Sequence, residues 1–195
     1  YWAPYIKKVG SKYRMYYSIV VDEPIIGAEF TYSWSERAFI GLAESDDLAT
    51  NVWVDKGMVV CSEPDGLKPY SFTGTRNWEN AYFQFNAIDP TFTITPEGDQ
   101  YLIYGSWHSG IAALKLNPAT GKPDQLKTLS DYGTKIASRS RTSRWQASEG
   151  PEIIYNENTG YYYLFLAYDG LDVPYNTRVA RSRNIMGPYL GINGA

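Results

Sequence analysis

One cysteine, Cys61, and one histidine, His108, are all that the 195 residues hold of the side chains that commonly bind soft metals. An intramolecular disulfide, a cysteine-based zinc cluster and an all-histidine metal site are thereby excluded, whereas a carboxylate and carbonyl site for a hard cation stays open. Basic charge is also short: Lys and Arg number 18 against 21 Asp and Glu, for a net charge of -3 and a pI near 5.2. With no basic face to neutralise phosphates, nucleic acid and anionic membrane are poor partners. No apolar run approaches the roughly 20 residues of a membrane-spanning helix, and helical periodicity is nowhere sustained. The chain opens YWAPYIKK, with neither a starting Met nor the apolar core of a signal peptide.

What the sequence has instead is aromatics, at 16% with 18 tyrosines and 6 tryptophans. Such residues favour strands and make flat, amphipathic binding walls, so an all-β, ligand-binding chain is expected. One phrase returns three times: APYIKKVGSKYRMYYSIV (3–20), DPTFTITPEGDQYLIYGS (89–106) and GPEIIYNENTGYYYLFLAYD (150–169). Each runs proline, β-rich strand, glycine-containing turn, aromatic-rich second strand, which is a hairpin. A third strand candidate follows each, AFIGLAES (38–45), GIAALKLN (110–117) and TRVARSRN (177–184). Three strands and a fourth outer one make a propeller blade. The pattern therefore predicts a β-propeller with about three blades, roughly 1–86, 87–146 and 147–195, and a long insertion within 61–84. A β-sandwich built of unrelated hairpins is the competing architecture.

In a propeller the innermost strands run along a central channel, so the residues just ahead of each unit converge on one face. Those residues are Tyr1-Trp2-Ala3, Asn86-Ala87-Ile88-Asp89 and Ala147-Ser148-Glu149. Asp89 and Glu149 are thereby expected at equivalent places on neighbouring blades, with Gly150-Pro151 fixing the backbone that holds Glu149.

The phrases YWAP, NAIDP with YLIYGSWHSGI, and SEGPEIIY with GYYYLFLAYDG, resemble the family 43 glycoside hydrolases, most closely the arabinan-degrading members, from Tyr1 to about Tyr189. The resemblance implies a five-bladed propeller that hydrolyses α-L-arabinofuranosides or β-D-xylosides with inversion. It implies Glu149 as general acid and Asp89 as the aspartate that tunes and orients it. Inversion needs a protonated acid beside the leaving oxygen and a carboxylate base roughly 6.5 to 9.5 Å away across the ring. The acid must hold its proton near neutrality, through burial or the charge of Asp89. The family's base precedes a strand on the blade before the WAP unit, and that blade is not in this chain. Asp22, Glu23 and Asp169 follow second strands and are poor substitutes. A missing segment or a second chain would then complete the propeller. No cofactor is implied outright, and a structural calcium in the channel stays open. Secretion or a periplasmic location follows from a plant cell-wall polysaccharide as substrate.

Further residues carry two readings each. Trp2 stacks on a sugar face, as its counterpart in the family does, or caps a blade as core. His108 bonds a sugar hydroxyl or holds a metal through water, or is structural. Arg178 reaches between Asp89 and Glu149, or pairs with Asp169 or Asp172. Asn86, beside Asp89, is a substrate-binding candidate, while Trp78 and Phe85 either wall a cleft or pack the insertion down. The class expected is a glycoside hydrolase, with a non-catalytic carbohydrate-binding propeller or inactive enzyme fragment as the alternative. With no base evident, the 195 residues alone are expected to hydrolyse arabinosides poorly or not at all, since a general base is commonly worth about 10² to 10⁴ in rate. An arabinosidase assay on the isolated chain checks this.

Overall fold

The computed structural model describes residues 1–20, 38–62, 85–107, 110–139, 147–171 and 173–194. Asp22, Glu23, Trp78 and most of the predicted insertion lie outside the described residues. Three antiparallel sheets account for nearly all the regular structure. The first holds β1 (Trp2–Val9), β2 (Lys12–Val20), β3 (Ala38–Ser45) and β4 (Val54–Cys61) in that order. The second holds β5 (Thr91–Ile94), β6 (Gln100–Tyr104), β7 (Ile111–Leu116) and β8 (Thr134–Ala137). The third holds β9 (Ser148–Asn156), β10 (Tyr161–Tyr168) and β11 (Asn176–Ser182), with Leu190 bridging to Arg181 on its outer edge. Two short 3₁₀ turns, Leu48–Thr50 and Leu129–Tyr132, are the only helical segments among the described residues.

Every pairing joins strands consecutive in sequence, so each sheet is a simple meander. The first hairpin shows why the chain turns where it does. Val9 pairs with Lys12 across a two-residue loop, and Gly10 takes a φ of +61° there, which costs glycine nothing and an L side chain roughly 1 kcal/mol. Along β2, Arg14, Tyr16 and Ser18 are buried while the residues between them are half-buried, the period of 2 that a strand imposes.

The three sheets stack face to face with the second in the middle. β7 is accordingly buried at every position except Lys115, a continuous apolar run and not an alternation. Its two faces feed two cores. Leu102, Tyr104, Ala112, Leu114 and Leu116 pack with Tyr16, Ile40 and Leu42 of the first sheet. Ile103, Ile111 and Ala113 pack with Ile153, Tyr162 and Leu164 of the third. Phe85 belongs to the first core, 2% exposed and edge-on to Tyr104, so it packs inward and forms no part of a cleft wall. The first strands also meet one another, β1 on β5 and β5 on β9. Meanders stacked face to face with their first strands gathered together are the blades of a β-propeller, and the three sheets do not close into a ring.

A polar clamp joins the first two blades. Arg14, 6% exposed, donates from Nε to Glu44 at 3.1 Å, from Nη1 to Gln100 at 2.9 Å and from Nη2 to the Pro118 carbonyl at 2.9 Å. The Tyr16 hydroxyl donates to the Gly121 carbonyl at 2.9 Å beside it. Arg14→Ala removes these bonds and leaves Glu44 to its looser pairs with Lys12 at 3.8 Å and Lys56 at 3.7 Å, and is expected to cost about 1 to 3 kcal/mol of stability. Urea denaturation of the variant measures the loss, and replacing Glu44 by Leu as well is expected to recover part of it.

Candidate active site

Each inner strand enters its sheet through the same irregularity. Trp2 pairs with Ser18 and Tyr5 with Tyr16, so Ala3 and Pro4 together stand opposite Tyr17. Glu149 pairs with Ala167 and Glu152 with Phe165, so Gly150 and Pro151 stand opposite Leu166. In the second sheet Gly105 N–H donates to the Ile88 carbonyl and Thr91 pairs with Ile103, which leaves Asp89 and Pro90 opposite Tyr104. These are β-bulges, two residues against one, and the residue before each proline is left-handed: φ is +41° at Ala3, +55° at Asp89 and +57° at Gly150.

The register corrects one expectation. Glu149 is equivalent to Ile88 and Trp2, and Asp89 to Gly150 and Ala3; the two carboxylates stand one position apart. On a regular strand that offset would send them to opposite faces. The bulge re-aims the chain, and both line one cavity of about 520 Å³ together with Trp2. Trp2 is 46% exposed there, an aromatic face open to solvent.

Glu149 is held at both oxygens. Oε2 accepts from the Ser106 hydroxyl at 3.0 Å and from the Trp107 indole N–H at 3.1 Å. Oε1 accepts from the Tyr175 hydroxyl at 2.6 Å. Ser106 is fully buried, and the Trp107 backbone N–H donates to the Ser148 carbonyl at 3.0 Å, so the second blade grips the strand that carries Glu149 by main chain and side chain alike. Asp89 reaches the same strand: its Oδ2 accepts from Gly150 N–H at 3.0 Å, the peptide directly after Glu149. Its own N–H is held by Ser18 Oγ of the first blade at 3.2 Å. Burial pushes the Asp89 carboxyl up to about 6; the Gly150 N–H opposes the rise and the charge of Glu149 adds to it.

Glu152, two residues past the bulge proline's neighbour, also lines the cavity. It stands level with Tyr5 and Thr91 on the other inner strands and accepts from both, at 3.4 Å and 2.8 Å. Its pKa is raised, chiefly by burial, against the pull of Thr91 and Lys7. It is tied on both oxygens and stands on the same strand as Glu149. No other carboxylate among the described residues lines the cavity.

The remaining candidates are placed elsewhere. Asn86 is fully buried beneath the loop, its Oδ1 accepting from Ser62 Oγ at 3.1 Å, and does not line the cavity. Arg178 lines a separate groove between the second and third blades, its guanidinium 5.9 Å from the Tyr168 ring centre and within the field of Asp169. Asp169 itself is bound by Arg139 at 2.6 Å, which holds its carboxyl below the usual range. His108 and Asp172 lie outside the described residues. Among the described residues no three metal-ligating side chains converge, and no helix is long and apolar enough to cross a membrane. Ser106, Trp107 and Tyr175 were not singled out by sequence, because each sits in a connecting segment without periodicity.

The chain belongs to glycosyl hydrolase family 43: the profile of "Glycosyl hydrolases family 43" matches residues 1–194. An "Extracellular endo-alpha-(1->5)-L-arabinanase" of Thermotoga petrophila is 36% identical over 99% of this chain and 37% of its own length. The corresponding enzyme 1 of Bacillus subtilis is 32% identical over 99% of this chain and 49% of its own. Among solved structures, a "GH43 Endo-Arabinanase from Bacillus licheniformis" superposes with a TM-score of 0.71 at 32% identity, covering all of this chain and 55% of that one. The chain thus spans about half the length of these relatives, or less.

The Asp89 environment has a consequence for stability. Its folded pKa lies above the ordinary 3.8, so folding favours the protonated form. That contribution is complete below about pH 4 and is lost as pH rises through 6, a change of up to about 3 kcal/mol. Urea midpoints measured from pH 4 to 7 are expected to fall in the native chain across this window, and to fall less steeply in Asp89→Asn, where the raised carboxyl of Glu152 remains.

Proposed function

We propose that this chain carries the acid side of an inverting site for α-L-arabinofuranosidic bonds, with Glu149 as general acid and Asp89 as the group that tunes and orients it. The observation that carries the reading is the fixed Glu149 carboxyl, gripped at Oε2 by Ser106 and Trp107 in a cavity it shares with Asp89 and an exposed Trp2. An acid catalyst needs one oxygen pinned and the other directed at the leaving group, and this arrangement supplies both. Asp89 acts through the Gly150 peptide, fixing the bulge from which Glu149 projects. Trp2 offers a flat apolar face of the kind that stacks on a furanose ring.

Arabinan as substrate rests on the relatives, which are named endo-α-(1→5)-L-arabinanases, and β-D-xylosides are the alternative. Those names also call the relatives extracellular, which supports secretion. Among the described residues the carboxylates that line the cavity are Asp89, Glu149 and Glu152. The second reading is a propeller part that binds carbohydrate without turning it over, and the exposed Trp2 face would serve it equally.

Glu149→Gln decides between them. In the protein that carries this chain, the substitution is expected to lower kcat on arabinan by about 10² to 10⁴ with little change in KM, since proton donation acts only in the transition state. Arabinosides with good leaving groups are expected to lose much less. Equal losses on both substrates would remove Glu149 from the acid role, and arabinan binding without turnover in the native protein would leave the binding reading.

A further inference from the structure

The two oxygens of Glu149 are treated differently by their surroundings, and the difference goes beyond the role proposed for the carboxyl. Oε2 receives an indole N–H from Trp107 and a hydroxyl from fully buried Ser106. The indole can only donate, so Oε2 must keep a lone pair toward it whatever the protonation state. With two donors on it, Oε2 is favoured as the carbonyl oxygen of the acid, which places the proton of Glu149 on Oε1. Facing Oε1 at 2.6 Å is Tyr175, which belongs to the segment between β10 and β11, is 45% exposed and lines the same cavity. A phenol can give a hydrogen bond or take one. It donates to the carboxylate and accepts from the carboxylic acid without moving. Partial burial together with the Glu149 hydrogen bond keeps the Tyr175 proton well beyond its usual loss. The leaving oxygen of a glycoside has to reach Oε1 to be protonated, where the Tyr175 hydroxyl already sits.

We propose that Tyr175 is a positioning residue for the acid: its hydroxyl assigns the Glu149 proton to Oε1 and holds that oxygen at the mouth of the cavity until the leaving oxygen of a bound sugar takes over the hydrogen bond. The inference rests on Glu149 being the acid. No proton is lost or gained by Tyr175 in the step; the proton moves from Oε1 to the glycosidic oxygen as the C–O bond breaks, and Tyr175 then donates to the carboxylate left behind. The charged or titratable groups that share the cavity are Asp89 ahead of β5 and Glu152 on β9, and neither bonds to Oε1.

Tyr175→Phe removes one hydroxyl from an exposed ring and leaves the packing of the blade alone. In turnover by the protein that carries this chain, kcat on arabinan is expected to fall about tenfold in Tyr175→Phe, with little change in KM and far less loss for arabinosides whose leaving group needs no proton. A merely structural role would lower turnover of both substrates alike, so equal losses, or no loss on arabinan, would overturn the assignment of Tyr175. If Glu149→Gln leaves turnover of arabinan intact, it is the acid role that fails, whatever Tyr175→Phe does.

Discussion

Three prolines, Pro4, Pro90 and Pro151, set the point at which each inner strand leaves its sheet, and the site depends on what happens one residue earlier. Proline has no N–H to give the ladder and its ring disfavours the α conformation before it. In all three bulges the preceding residue turns left-handed, which glycine does freely and aspartate tolerates better than most. The sequence places Gly150 and Asp89 at two of these positions and Ala3 at the third. The bulge shifts the pleat by one, so residues on both sides of the break face the cavity. Without it, Asp89 could not share a wall with Glu149.

The linkage between blades follows from the same break. Asp89 is reached by Ser18 of the first blade and itself reaches Gly150 of the third, while Ser106 and Trp107 of the second grip Glu149. These contacts cross from one sheet to the next, while the bond from Tyr175 to Glu149 stays within the third. The apolar cores below carry the stacking, and the Arg14 clamp fixes the first two sheets at their far end. A shift of one blade against another would be felt at the carboxylates first, because hydrogen bonds of 3.0 to 3.2 Å fail over displacements that packed side chains absorb.

Much of this was legible in the sequence because strands and glycine turns write themselves locally. The stretch 38–45 is β3 residue for residue, and 110–117 and 177–184 overlap β7 and β11 closely. The convergence of Trp2, Asp89 and Glu149 followed from the repeat alone. The one-residue offset between Asp89 and Glu149 did not, since a bulge adds a residue without altering the apolar pattern beyond the proline. Nor did the burial of Asn86, whose polar side chain is satisfied by Ser62, a partner 24 residues away. Arg178 was placed by its position at a strand start, but its direction depends on the alternation along β11, and it turns to Tyr168.

The residues that sequence reasoning passed over are those that hold the Glu149 carboxyl. Ser106, Trp107 and Tyr175 are ordinary loop side chains by type; the stacking of the second blade on the third brings the first two to Glu149, and the segment between β10 and β11 brings Tyr175 from the same sheet. Their arrangement also divides the labour between rigid and yielding partners. Oε2 is bound by a buried hydroxyl and an indole whose backbone is itself tied to Ser148, so that oxygen is fixed by the fold. Oε1 meets a single half-exposed phenol, the partner a ligand can most readily replace. A carboxyl pinned on one side and lightly held on the other keeps its direction when the light contact is exchanged, and that is the condition for delivering a proton to an incoming oxygen without first reorganising the site.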